Sequence, residues 1–365
     1  MIFLRVGLIH PYFRLIGGAE QSTLCLIDGL KKTNHLTTLY TCDTPPISET
    51  KNFKINKFQS IMPVIIYNYQ KWQDFRKLYQ NSEKEDVIII CGGGLMLDEI
   101  NIDNVILYCH SSFDSEFEFI NKKFSGVKEI INKIRQSFLR KKLSYINDPK
   151  IKLISNSNYT KNVMKNRFGR DSTVVYPPVN LETYSKLYDY PKTNKVVTIT
   201  RISREKNPEF ATNVAMETGL KHNIICRLNP RQKSLSDKLF QISKNKNISW
   251  LIDTSSREKE KVLSSSKVYF HPSKETFGIS VVEAIAAGCI PIVPNNSAHL
   301  DTVPYDELRF NEKEDAIEKL QNAASGKYDY LKPNLKNHIK KFSIEAYQKD
   351  MLLNLDSISR KIKNF

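Results

Sequence analysis

Apolar positions along this chain fall into two series in which short continuous runs alternate with longer stretches of helical period. In the first series Phe3 to Ile9, Leu36 to Thr41, Asp86 to Cys91, Val105 to Cys109, Lys152 to Ser155 and Thr173 to Tyr176 are short runs rich in β-branched residues, and Val64 to Tyr67 is a weaker one. Runs without polar alternation predict strands buried on both faces, as in parallel sheets covered by helices. Between the first two runs, Ala19 to Lys31 sets Leu24, Ile27 and Leu30 on one helical face. Together they predict a β-α-β unit. Ser157 to Phe168 predicts another helix, with Ser157 as its N-cap.

Tyr176-Pro177-Pro178-Val179 breaks this rhythm, and the chain stays polar through Pro191. A second series follows: Lys195 to Thr200, Asn223 to Arg227, Ile248 to Ile252, Val268 to His271 and Ile290 to Val293. After Gly278, the spacing of Ile279, Val282, Ile285 and Ala286 predicts a helix that stops at Gly288. The fold class read from this is α/β, with two doubly wound, Rossmann-like domains. The first covers residues 1–180, a linker covers 181–194, the second domain covers 195–342, and a terminal helix over 343–365 returns to the first domain. Ligands of such sheets sit beyond the carboxyl ends of the strands. Gly17-Gly18, Gly92-Gly93-Gly94, His110, the loop from Arg201 and the loop around Glu275 all follow strands. They are expected to line a cleft between the domains.

Composition narrows the class. A chain of 365 residues suits two domains, and 40% hydrophobic with 10% aromatic residues suits a globular protein. No apolar run approaches the roughly 18 residues of a membrane span. Met1 to Ile9 carries Arg5 and no small-residue cleavage site, and reads as a strand rather than a signal peptide. Six cysteines are scattered without metal-ligand spacing, which predicts free thiols in a reducing cytoplasm and no metal site. Lys and Arg exceed Asp and Glu by 55 to 39, a net +16. That balance favours anionic partners, although a plain lysine bias carries equal weight. Lys122 to Lys142 interleaves Val127, Ile130, Ile131, Ile134 and Phe138 with basic residues. It reads either as a helix on an anionic membrane surface or as a packed helix with a solvated basic face, and pattern alone favours the second.

Several polar residues carry candidate chemistry. Arg201 and Lys206 put a planar donor fork and a point charge at a strand end, a suitable pair for a diphosphate. Glu275 and Glu283 lie eight positions apart, with Gly278 between them. Paired carboxylates suit the acid and base of a hydrolase, or acceptors for sugar hydroxyls. The helix that starts after Gly278 adds N–H donors for an anion and tips the reading toward a sugar phosphate. Gly17-Gly18 allows backbone to approach a ligand, but lacks the spacing of a dinucleotide fingerprint. His110, at a strand end, suits a substrate hydrogen bond or acid–base work, with His10 a secondary candidate. For each of these the plainer reading, a solvated loop or an ordinary turn, stands beside the functional one.

In combination, the chain resembles the GT-B-fold retaining glycosyltransferases of family 4, the group 1 glycosyltransferases. The resemblance rests on Gly17-Gly18-Ala19-Glu20, Tyr108-Cys109-His110, Val175-Tyr176-Pro177-Pro178-Val179, Arg201 to Lys206, and Glu275 to Glu283 in a Pro-Ser-x-Glu-x-Phe-Gly setting, all in order. It implies that Glu275 binds hydroxyls of the donor sugar, that Glu283 binds the nucleotide ribose, and that Arg201 and Lys206 hold the diphosphate. It also places Gly17, Gly18, Phe277, Gly278 and Ile279 around the bound donor and His110 on the substrate side. No metal and no resident cofactor are implied, only a nucleotide-diphosphate sugar (GDP-mannose or a UDP-sugar) as co-substrate. Phe277 to Ala284 and Glu205 to Pro208 most resemble lipid-linked-oligosaccharide mannosyltransferases. That implies a hexose, with mannose favoured, passing to a lipid-linked or glycan acceptor. The expected setting is cytoplasmic or peripheral on the cytoplasmic membrane face, with no nucleic acid partner. Two departures stand out. Thr200 replaces a glycine before the arginine, and Asn295 to Asp301 has Ala298 and His299 where a Gly-Gly is usual. Two other readings remain at this point: a soluble GT-B synthase or epimerase, and a non-catalytic basic protein that binds polyanions or membranes and carries a degenerate sugar site.

Overall fold

The computed structural model describes residues 3–13, 17–57, 77–78, 80–82, 84–92, 103–123, 125, 128–244 and 246–363. The chain divides into two compact units, Met1–Pro178 with Glu345–Phe365, and Val179–Ile344. Residues 181–194, expected as a linker, therefore fold within the second unit.

Among the described residues, unit 1 holds a seven-stranded sheet of β1 (Arg5–Ile9), β2 (Leu36–Thr41), β3 (Phe53–Lys57), β4 (Val87–Ile90), β5 (Val105–Cys109), β6 (Ile151–Ser155) and β7 (Thr173–Val174). Its order is β3-β2-β1-β4-β5-β6-β7, and every pairing is parallel. Helices α1 (Gly18–Lys31), α2 (Asp114–Asn121), α3 (Lys128–Ser144) and α4 (Asn158–Phe168) lie in the connections. Every residue of β4 and β5 is buried, because helices cover both faces. Ser157 caps α4, its Oγ accepting from the Thr160 amide at 3.1 Å. Val64 to Tyr67 lies outside the described residues.

Unit 2 repeats the plan with β8 (Thr193–Arg201), β9 (Lys221–Arg227), β10 (Ile248–Ile252), β11 (Ser266–Phe270), β12 (Ile290–Pro294) and β13 (Arg309–Phe310), in the parallel order β10-β9-β8-β11-β12-β13. Its helices are α5 (Leu181–Ser185), α6 (Pro208–Thr218), α7 (Lys233–Ile242), α8 (Ser256–Ser265), α9 (Ile279–Ala286), α10 (His299–Thr302), α11 (Lys313–Ser325) and α12 (Lys332–His338). Just past α9, Gly288 sits at φ +84°, where a Cβ would come within 2.7 Å of the Tyr188 carbonyl oxygen. Glycine at this stop answers both constraints, the left-handed turn and the close approach.

The chain then returns to unit 1 in α13 (Ile344–Lys363). Tyr347, Met351, Leu355 and Ile358 of α13 are buried in one core cluster with Val6, Leu8, Ile89 and Tyr108. Gln348 Nε2 donates to the Cys25 carbonyl at 2.8 Å. In each sheet the strand order reverses once, between β1 and β4 and between β8 and β11. These two switch points are where doubly wound sheets take ligands.

Candidate functional site

At the switch point of unit 2, β8 ends at Arg201 and β11 ends just before His271. Arg201 is exposed, whereas Lys206 is half-buried at the end of a short helical turn, Arg204–Lys206. Lys206 Nζ donates to Glu275 Oε1 at 2.5 Å, with 20% and 17% of the two side chains exposed. His271 Nε2 lies 3.1 Å from the same oxygen. Behind it, Tyr269 Oη is 3.2 Å from His271 Nδ1 and 2.8 Å from Ser280 Oγ. Glu275 thus ends a polar chain that begins on α9 and runs through β11. Burial alone would raise the Glu275 carboxyl, but the hydrogen bond from His271 and the charges of His271 and Lys206 outweigh it and hold it at about 2.

Glu283 does not share these partners. It sits on α9, largely buried, and its Oε2 accepts from Lys259 Nζ of α8 at 3.0 Å. Lys259 in turn lies 5.0 Å above the ring of Tyr184, on α5. Burial, followed by the charge of Glu283 and a hydrogen bond to it, raises the Tyr184 hydroxyl well above its usual range. Gly278 is the N-cap of α9, and Ile279 is its first residue. Phe277 points away from solvent, its ring 5.1 Å edge-on from Phe342.

Residues 295–301, which lack the usual glycines, brace the Glu275 loop. The Ala298 amide donates to the Glu275 carbonyl at 3.1 Å, and the Glu275 amide donates to Ser297 Oγ at 3.2 Å. Ser297 holds φ +58°, so the left-handed turn survives without a glycine. The His299 ring is fully buried, with Nε2 donating to the Ser273 carbonyl at 2.9 Å, and burial foremost lowers it to about 3. It serves as a neutral strut beneath the loop.

The switch point of unit 1 is built differently. Gly17 caps α1, and its amide donates to Glu20 Oε2 at 2.9 Å, while Gly18 is the first residue of the helix. His10, just after β1, places Nδ1 2.8 Å from Thr23 Oγ1 and Nε2 3.5 Å from Glu20 Oε1. Burial works against the ionised Glu20, yet the hydrogen bonds from His10 and the α1 backbone hold its carboxyl below the usual range. Gly92, just past β4, leaves the space that His10 fills, since a Cβ there would meet His10 Cε1 at 2.8 Å. His110 packs its ring 4.2 Å from that of Tyr108. Its buried Nε2 has no hydrogen-bond partner, and burial, then the charge of His10, lowers the ring to about 4.

The structure therefore joins Lys206 with Glu275, sets Glu283 with Lys259 and Tyr184, and leaves Arg201 exposed. His271, Tyr269, Ser280, Ser297, Lys259 and Tyr184 join the site without having been singled out in the sequence. Only His271, four residues before Glu275 at the end of a strand, carried a local signal. Among the described residues no group of three or more His, Cys, Asp or Glu is placed to hold a metal ion.

Residues 183–340 match the family of glycosyl transferases group 1. The chain is similar to GDP-Man:Man(3)GlcNAc(2)-PP-Dol alpha-1,2-mannosyltransferase of Dictyostelium discoideum, 28% identical over 231 residues, covering 54% of this chain and 44% of that protein. It thus spans less than half the length of that relative. Alpha-1,3/1,6-mannosyltransferase ALG2 of the same organism is 22% identical, over 82% of this chain and 84% of that protein. Among solved structures, Anabaena Alr3699/HepE in complex with UDP and glucose matches with a TM-score of 0.69 at 15% identity, over 97% of this chain and all of that one. WaaG, a glycosyltransferase involved in lipopolysaccharide biosynthesis, matches with a TM-score of 0.69 at 12% identity, covering 95% and 98%. The GT-B fold and the resemblance to group 1 glycosyltransferases, mannosyltransferases among them, are borne out.

Proposed function

Starting from a second unit that carries the group 1 glycosyl transferase domain, we propose that this chain is a retaining, metal-independent hexosyltransferase. It moves a sugar, mannose first, from a nucleoside diphosphate to a lipid-linked or glycan acceptor at the cytoplasmic membrane face. The observation that carries this reading is the Lys206–Glu275 pair, a half-buried cation and carboxylate in contact at a switch point. An ammonium has three donors. One is committed to Glu275, and the others are left for the diphosphate. As the bond from the sugar to the phosphate oxygen breaks, negative charge gathers on the departing diphosphate, and the cations of Lys206 and Arg201 stabilise it. Glu275, ionised and oriented by His271, accepts from hydroxyls of the sugar. Glu283, held by Lys259 and Tyr184, accepts from the ribose. An acceptor hydroxyl forms the new bond on the face from which the diphosphate leaves, and its proton passes to the leaving phosphate oxygen. No protein nucleophile is required, and the anomeric configuration is kept. His110, neutral and with a free ring nitrogen, is the substrate-side partner in unit 1.

The mannosyl activities named for the two Dictyostelium proteins support mannose and GDP-mannose, while the UDP and glucose in the Anabaena structure keep a UDP-sugar as the alternative donor. A thermal-shift panel of GDP-, UDP-, ADP- and dTDP-sugars tests the donor class, because a ligand stabilises only the state it binds. GDP-mannose should raise the melting temperature, and labelled mannose should then move to a polyprenyl-diphosphate glycan in the presence of a chelator. No stabilisation by any of these sugars at millimolar concentration, with no transfer, would sink the proposal.

A further inference from the structure

We infer that α3 is a docking helix for an anionic lipid bilayer surface. At about 100° per residue, Ile130, Ile134, Phe138 and Ile131 share one arc of about 100°. All four are exposed, at 70%, 64%, 41% and 54% respectively. The other side of the helix is the one fixed to unit 1. There Gln136 Nε2 donates to the Phe119 and Lys122 carbonyls at 2.9 and 2.8 Å, and Leu143 and Leu139 pack into the core. Arg140 Nη2 ties the helix further to the Ile120 carbonyl at 3.0 Å. The periodic apolar positions, expected to face inward on pattern alone, therefore face out. Single exposed apolar residues are ordinary in a folded protein, but four adjacent large ones on an anchored helix mark an interaction surface.

Charge selects the occupant. Six basic residues of α3, Lys128, Lys133, Arg135, Arg140, Lys141 and Lys142, stand against the single acid Glu129. Lys133, Arg135 and Lys141 are exposed around the stripe, and Lys122 and Lys123 are exposed just before the helix. A second copy of this face would set like charges against each other. A bilayer bearing anionic headgroups accepts the isoleucines and the phenylalanine below the headgroup level and the ammonium and guanidinium groups at it. This reading rests on exposure and charge, not on the chemistry proposed for Lys206 and Glu275, so the two can fail separately.

The test is flotation of the whole chain with phosphatidylcholine vesicles that contain or lack phosphatidylglycerol. The chain should float with the anionic vesicles, and less so as salt is added. The triple variant Ile130→Ser/Ile134→Ser/Phe138→Ser should bind about tenfold more weakly or worse. Its melting temperature and helical circular dichroism should hold, because the replaced side chains are exposed. The variant Lys133→Gln/Arg135→Gln/Lys141→Gln should lose the preference for phosphatidylglycerol. No flotation of the parent chain, or equal flotation of the triple variant, would overturn the inference. So would a concentration-dependent dimer that the triple variant abolishes, because a second copy would then be the occupant.

Discussion

The two switch points answer the same topological problem with opposite chemistry. In unit 2 each carboxylate is paired with a half-buried lysine, Glu275 with Lys206 and Glu283 with Lys259, so neither carboxylate stands without a cation. In unit 1 the corresponding position holds glycine backbone, the His10–Glu20 pair and the neutral ring of His110, whose buried Nε2 is left without a partner. A paired lysine with spare donors suits a ligand that arrives with negative charge. An unpartnered neutral imidazole suits one that arrives with hydroxyls, and the unmet hydrogen bond is a cost that a bound hydroxyl would remove. The same fold, used twice, thus offers two chemically different switch points, and the proposed function assigns the anion to one and hydroxyls to the other.

The largest expected effect comes from removing the cation that defines the unit 2 site. Lys206→Ala should cost about a hundredfold or more in kcat, as for other fixed groups aimed at developing charge, and should abolish the thermal shift by the nucleotide sugar. His110→Ala should cost less in turnover and leave that shift intact. If both variants lose donor binding alike, the division of labour between the units fails. Next, Lys259→Ala should raise KM for the donor by about tenfold with little change in kcat, the mark of lost uniform binding. Lys259→Arg should restore it, since a guanidinium can still pair with Glu283; a fall in kcat alone would argue against a ribose-side role.

pH sharpens the contrast. Burial lowers His110 from its usual 6.5 to about 4 in the folded chain, so the unfolded chain takes up the proton first. The stability that this neutral ring contributes is complete above about 6.5 and is lost as pH falls through about 4. Glu275, depressed from 4.5 to about 2, contributes stability that is complete above about 4.5 and is lost as pH falls through about 2. In assays too short for unfolding, kcat/KM should therefore hold steady down to about pH 5 and then fall with an apparent pKa near 4 that belongs to His110. An acid limb that persists unchanged in His110→Gln would assign it elsewhere. The smallest effect is on packing. Gly92→Ala should lower stability by about 1–3 kcal/mol through the contact with His10, whereas Ser297→Gly should change it by only about 1 kcal/mol, because relief of a left-handed serine offsets the lost bond to the Glu275 amide. Chemical denaturation would rank the two.

Much of this was legible in the sequence, for identifiable reasons. Strands of a parallel sheet are apolar on both faces, so β4, β5 and β12 stand out as continuous runs. β3 did not, because Phe53–Lys57 buries only Phe53 completely and alternates with lysines at the edge of its sheet. β13 is two residues long and has no period to read. Glu275, Glu283 and Lys206 were found from motif and spacing, but Lys259 lies 24 positions from its partner Glu283. Tyr184 stood in a stretch that reads as linker. Helical period located α3, but not which way its apolar arc would turn, since that depends on Gln136, Leu139 and Leu143 finding their own contacts with α2 and the core.

Because α13 belongs to unit 1 while unit 2 lies between it and the rest of that unit, unit 1 is discontinuous in the chain and unit 2 is not. On the ribosome this sets an order of assembly. All of unit 2 emerges before Tyr347, Met351, Leu355 and Ile358, and until those four arrive the core cluster around Val6, Leu8 and Tyr108 is open on one side. Unit 2 can complete its own core while the half that was synthesised first still waits. A chain truncated after Ser343 and released from the ribosome should accordingly yield a protease-resistant fragment from unit 2 and only a labile one from unit 1.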